Sequence, residues 1–333
     1  MAGTQPIEQV LLTGATGFVG RNLHPVLRRH GYRVVSAARN PDAARVAFPE
    51  QDFERLDVTD ADSVEAAMQG CHAAFYLIHG MAGGAGYEEV EQRSATIFRD
   101  AAARAGLARI IYLGGVRPLG MTSRHLTSRL RTGEILRSGK VPTLELQASM
   151  VIGGGSESWR IVRDLAARLP LMVFPKWLDT LSQPIALDDV TFALQKSLEL
   201  PLERSQALSL PGPEVLSARD IIMRTARLLG SHPIAIRVPF VTPRLSSYWI
   251  TLVTRAEQRI SEELVEGLRS DLVAGDEGFW RLAPEHARLA FDDAAKAALL
   301  DEQLRLSFRS RVAEVVIRAL ALGSIKSAGG RNS

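Results

Sequence analysis

Three glycines stand at a spacing of three near the start of the chain: Gly14, Gly17 and Gly20. The first permits a tight turn, the second lets backbone N–H groups approach a ligand, and the third lets a following helix pack closely. Apolar residues at helical spacing follow from Leu23 onward, and the positive N-terminus of such a helix binds phosphate. The pattern predicts a turn that binds a pyrophosphate, although a glycine-rich turn without a ligand is the alternative. The expected contact residues are Thr13, Gly14, Thr16, Gly17, Phe18, Val19 and Gly20.

The end of the second predicted strand reads Ala37-Ala38-Arg39-Asn40. A site for NAD places a carboxylate here, where it binds the ribose hydroxyls. Arg39 instead offers a planar cation to a 2′-phosphate, and Arg21 in the first helix is a second candidate. The sequence therefore predicts NADP as the cofactor and makes NAD less expected; a solvated loop arginine is the alternative for Arg39.

Two further strand ends lie beside this turn if the sheet is parallel. Asp57 and Val58 end the third predicted strand, where a carboxylate and a backbone amide would meet an adenine edge. Leu77 and His79 end the fourth. Ligands bind outside the carboxyl ends of parallel strands, so we expect all four residues to contact the cofactor, with His79 near the nicotinamide as a candidate catalytic residue.

The elements that must hold these residues alternate between short β-rich runs and helical patterns, which is typical of a parallel sheet. Predicted helices begin at Ser63, Glu88 and Arg124, and each ends at a glycine expected in the left-handed conformation: Gly70, Gly106 and Gly139. The predicted strands are Gln9–Thr13, Arg33–Ala38, Phe53–Asp57, Ala73–Ile78, Arg109–Leu113 and Thr143–Ser149.

The pattern changes after Val151. Three glycines (153–155) open a segment that reads as irregular and aromatic as far as Trp177, and the later predictions are mostly helical. We expect an α/β protein: a Rossmann doubly wound parallel sheet with a smaller, mostly helical C-terminal lobe. The predicted domains are residues 1–152, to which the chain returns at about 182–215, and residues 153–333. The later predicted elements are a strand at Gln206–Leu210 and helices at Asp188–Leu198, Ser217–Leu229, Glu257–Leu268 and Asp292–Ala298.

Composition excludes several classes of protein. The net charge is +3 without a basic cluster, so no nucleic-acid partner is expected. One cysteine, Cys71, excludes an internal disulfide, and it is expected to be a buried apolar residue. No signal peptide, membrane span or metal-ligand spacing of histidines is visible, so we expect a cytoplasmic protein without a metal. A small-molecule substrate and a monomer or homodimer are expected.

The segments Thr13–Gly20, Asp57-Val58 and Ile110–Leu113 resemble the short-chain dehydrogenase/reductase superfamily, in its extended or atypical branch. Residues 76–79, 111–115 and 125–129 are closer still to the NAD(P)H-binding, NmrA-like group. The resemblance covers residues 7 to about 300 and implies a Rossmann fold and an NAD(P)-binding protein.

The usual relay of that superfamily is a serine, a tyrosine and, four residues later, a lysine. Gly114-Gly115 stand in place of the serine, His125 in place of the tyrosine and Arg129 in place of the lysine. In one reading His125 is the general acid and Arg129 anchors the ribose or a phosphate. In the other, both are ordinary polar residues of a surface helix.

The leading hypothesis for function is an atypical NADP-dependent oxidoreductase that acts on a small, largely apolar carbonyl or enone without the usual relay. A non-catalytic NAD(P)-sensing regulator and a nucleotide-binding accessory subunit are the alternatives. Aromatic and apolar residues of the second lobe are candidates to line an apolar pocket. They are Trp159, Met172, Phe174, Trp177, Tyr248, Trp249 and Phe279.

Overall fold

A seven-stranded parallel sheet forms the centre of the molecule in a computed structural model that describes residues 6–78, 86–118, 120, 122–168, 171–238 and 270–305. Its strands are β1 (Gln9–Leu12), β2 (Arg33–Ala38), β3 (Phe53–Arg55), β4 (Ala73–Tyr76), β5 (Arg109–Gly115), β6 (Thr143–Ala148) and, later in the chain, β11 (Gln206–Ser209). The strand order is β11-β6-β5-β4-β1-β2-β3. The order reverses between β1 and β4, and that is where ligands bind in open parallel sheets.

The predicted α/β fold is confirmed, and the sheet contains, besides the six strands predicted for the first half of the chain, the strand predicted at Gln206–Leu210. This strand, β11, pairs in parallel with β6 from Gln206 opposite Leu144 to Ser209 opposite Gln147. This pairing joins a late segment of the chain to the N-terminal sheet. The domain boundary at residues 152 and 153 stays a prediction.

Helices cover both faces of the sheet because consecutive residues of each strand point to opposite sides. The helices are α1 (Phe18–Arg29), α2 (Pro41–Ala47), α3 (Ala61–Met68), α4 (Tyr87–Arg104), α5 (Arg124–Arg137), α6 (Glu157–Arg168), α7 (Leu187–Lys196), α8 (Ala218–Leu228) and α9 (Phe291–Arg305). On one face Leu12 packs with Leu23 of α1 and Val190 of α7. On the other face Leu11 packs with Phe98 of α4, and α3 and α5 join them.

Two of the three predicted helix-ending glycines have the expected backbone. Gly70 and Gly106 have φ angles of 72° and 69°, which favour glycine. The prediction is wrong for Gly139, which does not have a positive φ. A Cβ at Gly139 would lie 2.5 Å from Cγ of Arg99, so close packing of that side chain is what requires a glycine there.

The segment expected to be irregular contains regular structure. It holds α6 and the strand β8 (Leu171–Pro175), which pairs in parallel with β13 (Ile234–Val238). Ser156 begins α6 by accepting a hydrogen bond from the amide N–H of Trp159 at 3.4 Å. The remaining short strands are β7 (Val151–Ile152), β9 (Leu181–Ser182), β10 (Ile185–Ala186) and β12 (Leu216–Ser217). The helix predicted at Glu257–Leu268 lies outside the described residues.

Candidate dinucleotide site

The turn between β1 and α1 is shaped by glycines that the protein itself requires. Gly14 has a φ angle of 65°, and a Cβ there would lie 2.4 Å from the carbonyl oxygen of Leu77. A Cβ at Gly20 would lie 2.2 Å from the carbonyl oxygen of Gly14. The predicted roles of these two glycines, a tight turn and close packing of the helix, agree with this geometry.

Gly17 differs, because its position faces outward. It is exposed, and a Cβ there would meet only the carbonyl oxygen of Gly14, at 3.1 Å. Gly17 also caps α1, whose first turn has no side-chain cap and no acidic residue. Backbone N–H donors at a positive helix end therefore remain open to an anion. Thr16 is exposed beside Gly17, and Phe18 and Val19 are half-buried.

Thr13 joins the ends of two neighbouring strands through its side chain. Its side chain is fully buried; its hydroxyl donates to the carbonyl oxygen of Phe75 at 2.8 Å and accepts from the amide N–H of Leu77 at 3.2 Å. The hydroxyl of Thr13 thus joins the ends of β1 and β4, and a contact of Thr13 with a cofactor stays a prediction. Leu77 contributes its backbone to the same join.

The ends of β2 and β3 bring Arg39 and Asp57 together. Asp57 accepts hydrogen bonds from the amide N–H of Thr59 at 3.0 Å and from its hydroxyl at 2.7 Å. These bonds lower the pKa of Asp57, and the charge of nearby Arg39 lowers it further. Arg39 is exposed, and Val58 is half-buried against the core under α3. The site therefore presents a cation and an ionised carboxylate side by side.

His125 and Arg129 lie on one face of α5, as their spacing predicts. Nη2 of Arg129 donates to the carbonyl oxygens of Leu113 at 2.9 Å and of Gly114 at 3.0 Å, so the guanidinium holds the end of β5. Burial, with a further contribution from the charge of Arg129, lowers the pKa of His125 to about 4. His125 is therefore a neutral imidazole near pH 7.

The missing serine has a structural cause that the sequence did not reveal. A Cβ at Gly114 would lie 2.5 Å from Oε1 of Glu145, and one at Gly133 would lie 2.4 Å from Oε2. Glu145 is fully buried and pairs with Nε of Arg137 at 2.8 Å. The sequence signal for this arrangement is a lone glutamate in a buried central strand, with glycines on the two neighbouring elements.

Other predicted residues lie elsewhere or outside the described residues. Trp159, Met172 and Phe279 are buried in three separate core clusters, so the prediction that they line a pocket is wrong. Nothing is described of the side chains of Phe174 and Trp177. His79, Tyr248 and Trp249 lie outside the described residues.

Among the described residues, no group of three or more His, Cys, Asp or Glu side chains is placed to hold a metal ion. Within the same part of the chain, every helix is too short or too polar to cross a membrane. Cys71 is buried, as predicted.

Known proteins share both the sequence motif and the fold. Residues 10–133 match the model of the NAD dependent epimerase/dehydratase family. A 3 beta-hydroxysteroid dehydrogenase/Delta 5-->4-isomerase of Mycobacterium tuberculosis is 34% identical over 119 residues, which are 33% of this chain and 32% of that protein. The chain thus matches about a third of the length of this relative.

Solved structures are similar over most of the chain. The triphenylmethane reductase of Citrobacter sp. superposes with a TM-score of 0.71 at 14% identity, covering 87% of this chain and 99% of that one. An NADPH-dependent quinone oxidoreductase of Escherichia coli, crystallised with NADPH, gives 0.67 at 15% identity, covering 86% and 98%. These likenesses show the fold. Over residues 10–133 the chain is similar to the NAD dependent epimerase/dehydratase family, which agrees with the predicted resemblance to the extended branch of the short-chain dehydrogenases/reductases.

Proposed function

We propose that the protein is an NADP-dependent oxidoreductase that reduces a small, largely apolar carbonyl or enone without the serine, tyrosine and lysine of its superfamily. The observation that carries the proposal is the open turn at Gly17. Its neighbours Gly14 and Gly20 are required by the protein's own packing, whereas a Cβ at the exposed Gly17 would meet one backbone atom, the carbonyl oxygen of Gly14 at 3.1 Å. The uncapped N-terminus of α1 supplies the donors for two phosphates.

The preference for NADP rests on charge at the end of β2. No carboxylate stands at residues 37–40, and Arg39 is exposed there. A planar guanidinium binds a phosphate through two parallel hydrogen bonds. Asp57 offsets part of this charge, but its carboxylate is held by Thr59, and in this proposal it would accept from the amino group of an adenine. The NADPH-bound oxidoreductase of similar fold supports the same choice.

When bound, the nicotinamide supplies a hydride, and the protein has to orient the ring and manage one proton. Arg129 positions the end of β5 through its two carbonyl contacts. His125, a neutral imidazole in the first turn of α5, can donate one ring N–H as a hydrogen bond to a substrate oxygen. Such a donor assists an enone or a substrate that carries its own proton source better than it assists an isolated ketone.

A dinucleotide-sensing protein without turnover is the second candidate. The observation that favours it is the closed environment around Gly114, which leaves no space for the serine of the relay. A sensor would bind NADPH and NADP with different affinities but consume neither. If the protein is instead an accessory subunit, it should copurify with a larger protein complex.

The proposal is tested by calorimetric titration of NADPH and NADH into the protein and its Arg39→Ala variant. Loss of a hydrogen bond to a charged phosphate costs about 1.5–3 kcal/mol, so we expect NADPH to bind roughly 10- to 100-fold more weakly. NADH should be affected by less than about threefold, because it lacks the phosphate. Arg29→Ala, at the exposed far end of α1, is the matched control and should leave both affinities unchanged.

Gly17→Val should abolish binding of both nucleotides, because its side chain would fill the space in front of the helix end. Equal losses for NADPH and NADH in Arg39→Ala would contradict the preference for NADP. Unchanged affinity in Gly17→Val would contradict the site itself. Turnover is then tested by following the loss of reduced-nicotinamide absorbance with a panel of enones, quinones and aldehydes; no consumption with any of them would favour the sensor.

A further inference from the structure

The turn formed by Gly153, Gly154 and Gly155 lies directly against the first helix. Nη2 of Arg21, in the first turn of α1, donates to the carbonyl oxygen of Gly154 at 3.2 Å. A Cβ at Gly155 would lie only 2.0 Å from the same Nη2, and one at Gly153 would lie 3.0 Å from Cζ of Phe18. Arg21 therefore does not reach toward a 2′-phosphate, as the sequence suggested, but holds this glycine turn.

The other side of the turn contacts the C-terminal helix. A Cβ at Gly154 would lie 2.1 Å from Oδ2 of Asp301, and the amide N–H of Gly155 donates to the carboxylate of Glu302. Glu302 in turn pairs with Nη1 of Arg163 in α6 at 2.6 Å. The glycine turn is thus held between α1 on one side and the pair α6 and α9 on the other.

We propose that Arg21 is a positioning residue that couples the dinucleotide turn to α6 and α9, so that a bound dinucleotide stabilises these two helices. The inference rests on the proposed binding of NADPH at the N-terminus of α1. It goes beyond that function, because it gives Arg21 and the glycine turn a role of their own. They would transmit the stabilising effect of a bound dinucleotide from the N-terminus of α1 to α6 and α9.

The geometry gives this coupling a physical path. Arg21 belongs to the same helical turn as the backbone N–H groups that would hold the phosphates. A ligand that fixes this part of the backbone therefore also fixes Arg21. The glycine turn cannot yield easily, since Gly155 has a φ angle of 92° and each of the three positions is in close contact. Coupling between two sites is reciprocal, and a typical coupling changes an equilibrium about 5- to 150-fold.

Hydrogen–deuterium exchange with mass spectrometry, with and without saturating NADPH, tests the proposal on the full chain. In the unaltered protein we expect slower exchange both in residues 18–29 and in residues 157–168 and 291–305. Arg21→Met keeps the length of the side chain but removes the guanidinium. It should retain the NADPH protection of residues 18–29 and lose about fivefold or more of the protection of the two distant helices.

Two other variants sharpen the test. Arg29→Met removes a cation from the far end of the same helix and should behave like the unaltered protein. Gly155→Ala places a methyl group against the guanidinium and should repeat the loss seen in Arg21→Met. Full protection of α6 and α9 in Arg21→Met overturns the inference while leaving the proposed function intact. Failure of the unaltered protein to bind NADPH overturns both.

Discussion

Gly114→Ala should destabilise the protein strongly for a substitution that adds one methyl group. The new Cβ would lie 2.5 Å from Oε1 and 3.2 Å from Cδ of Glu145. The carboxylate of Glu145 cannot easily turn away, because its Oε2 lies against Gly133, at the place that a Cβ of that residue would occupy. In addition, Nε of Arg137 donates to Oε2 at 2.8 Å, and Nε2 of Gln147 donates to Oε1 at 3.1 Å. Overpacking a core costs about 1–3 kcal/mol, and displacing Glu145 from its ion pair adds to that cost.

Because Arg137 is 27% exposed and can be rehydrated, the second contribution is smaller than the cost of breaking a fully buried pair. We therefore expect a loss of about 2–4 kcal/mol in the free energy of unfolding, measured by urea denaturation followed by circular dichroism. Gly115→Ala is the matched control. Its Cβ would lie 2.5 Å from Cδ1 of Leu126, the movable end of a flexible side chain, and at an ordinary contact distance of 3.9 Å from Nε of Arg129, so its cost should be about 1 kcal/mol or less.

A double-mutant cycle identifies the cause. In a Glu145→Ala background the carboxylate is gone, so Gly114→Ala should cost at least about 1 kcal/mol less than it does alone. An equal cost in both backgrounds, or a cost of less than about 0.5 kcal/mol for the single variant, would refute the reasoning.

Two predictions concern pH and a buried carboxylate. The pKa of His125 is lowered from 6.5 to about 4, so the unfolded chain binds this proton more readily and stability is lost as the pH falls from 6.5 toward 4. His125→Gln should remove that part of the loss in urea unfolding measured across this range, and an unchanged pH dependence would contradict the assignment. Asp189 accepts from the amide N–H of Leu289 at 3.0 Å and contacts Nε2 of His286 at 2.8 Å, while burial raises its pKa. Asp189→Asn should therefore change the free energy of unfolding by less than about 1 kcal/mol. Asp189→Ala should cost about 1–3 kcal/mol for each polar group that it leaves without a partner. Equal effects of the two substitutions would refute this view.

The sequence predicted the shape of the glycine turn well because that shape depends largely on local geometry. Gly14 has a positive φ angle, and Gly20 is required by its contact with the carbonyl oxygen of Gly14, six residues earlier, so the spacing of the two glycines reflects this geometry. The strand β2 was predicted with its observed bounds, Arg33–Ala38, for a similar reason. Its apolar run is ended by the turn residues that follow.

The roles of Thr13, Arg129 and Glu145 were not predictable in the same way. Each depends on which strands are neighbours: Thr13 joins β1 to β4, and Arg129 binds carbonyl groups at the end of β5. Glu145 occupies space that glycines on two other elements leave free. A sequence shows the residue types but not the partners that strand order supplies, so polar side chains with structural roles were interpreted as ligand contacts or left unexplained.

These structural roles also restrict the chemistry of the site. Glu145 closes the position beside Gly114, and Arg129 is bound to backbone carbonyls, so neither a serine hydroxyl nor a free cation stands at the end of β5 to stabilise a developing oxyanion. Of the residues at the three relay positions, His125 is the candidate proton donor, and it is neutral at pH 7. A neutral donor is suited to a substrate whose negative charge is spread over several atoms, because less charge then has to be neutralised at one oxygen. This favours conjugated acceptors over simple ketones, and it predicts that protonation of His125 changes turnover only as the pH approaches its pKa of about 4.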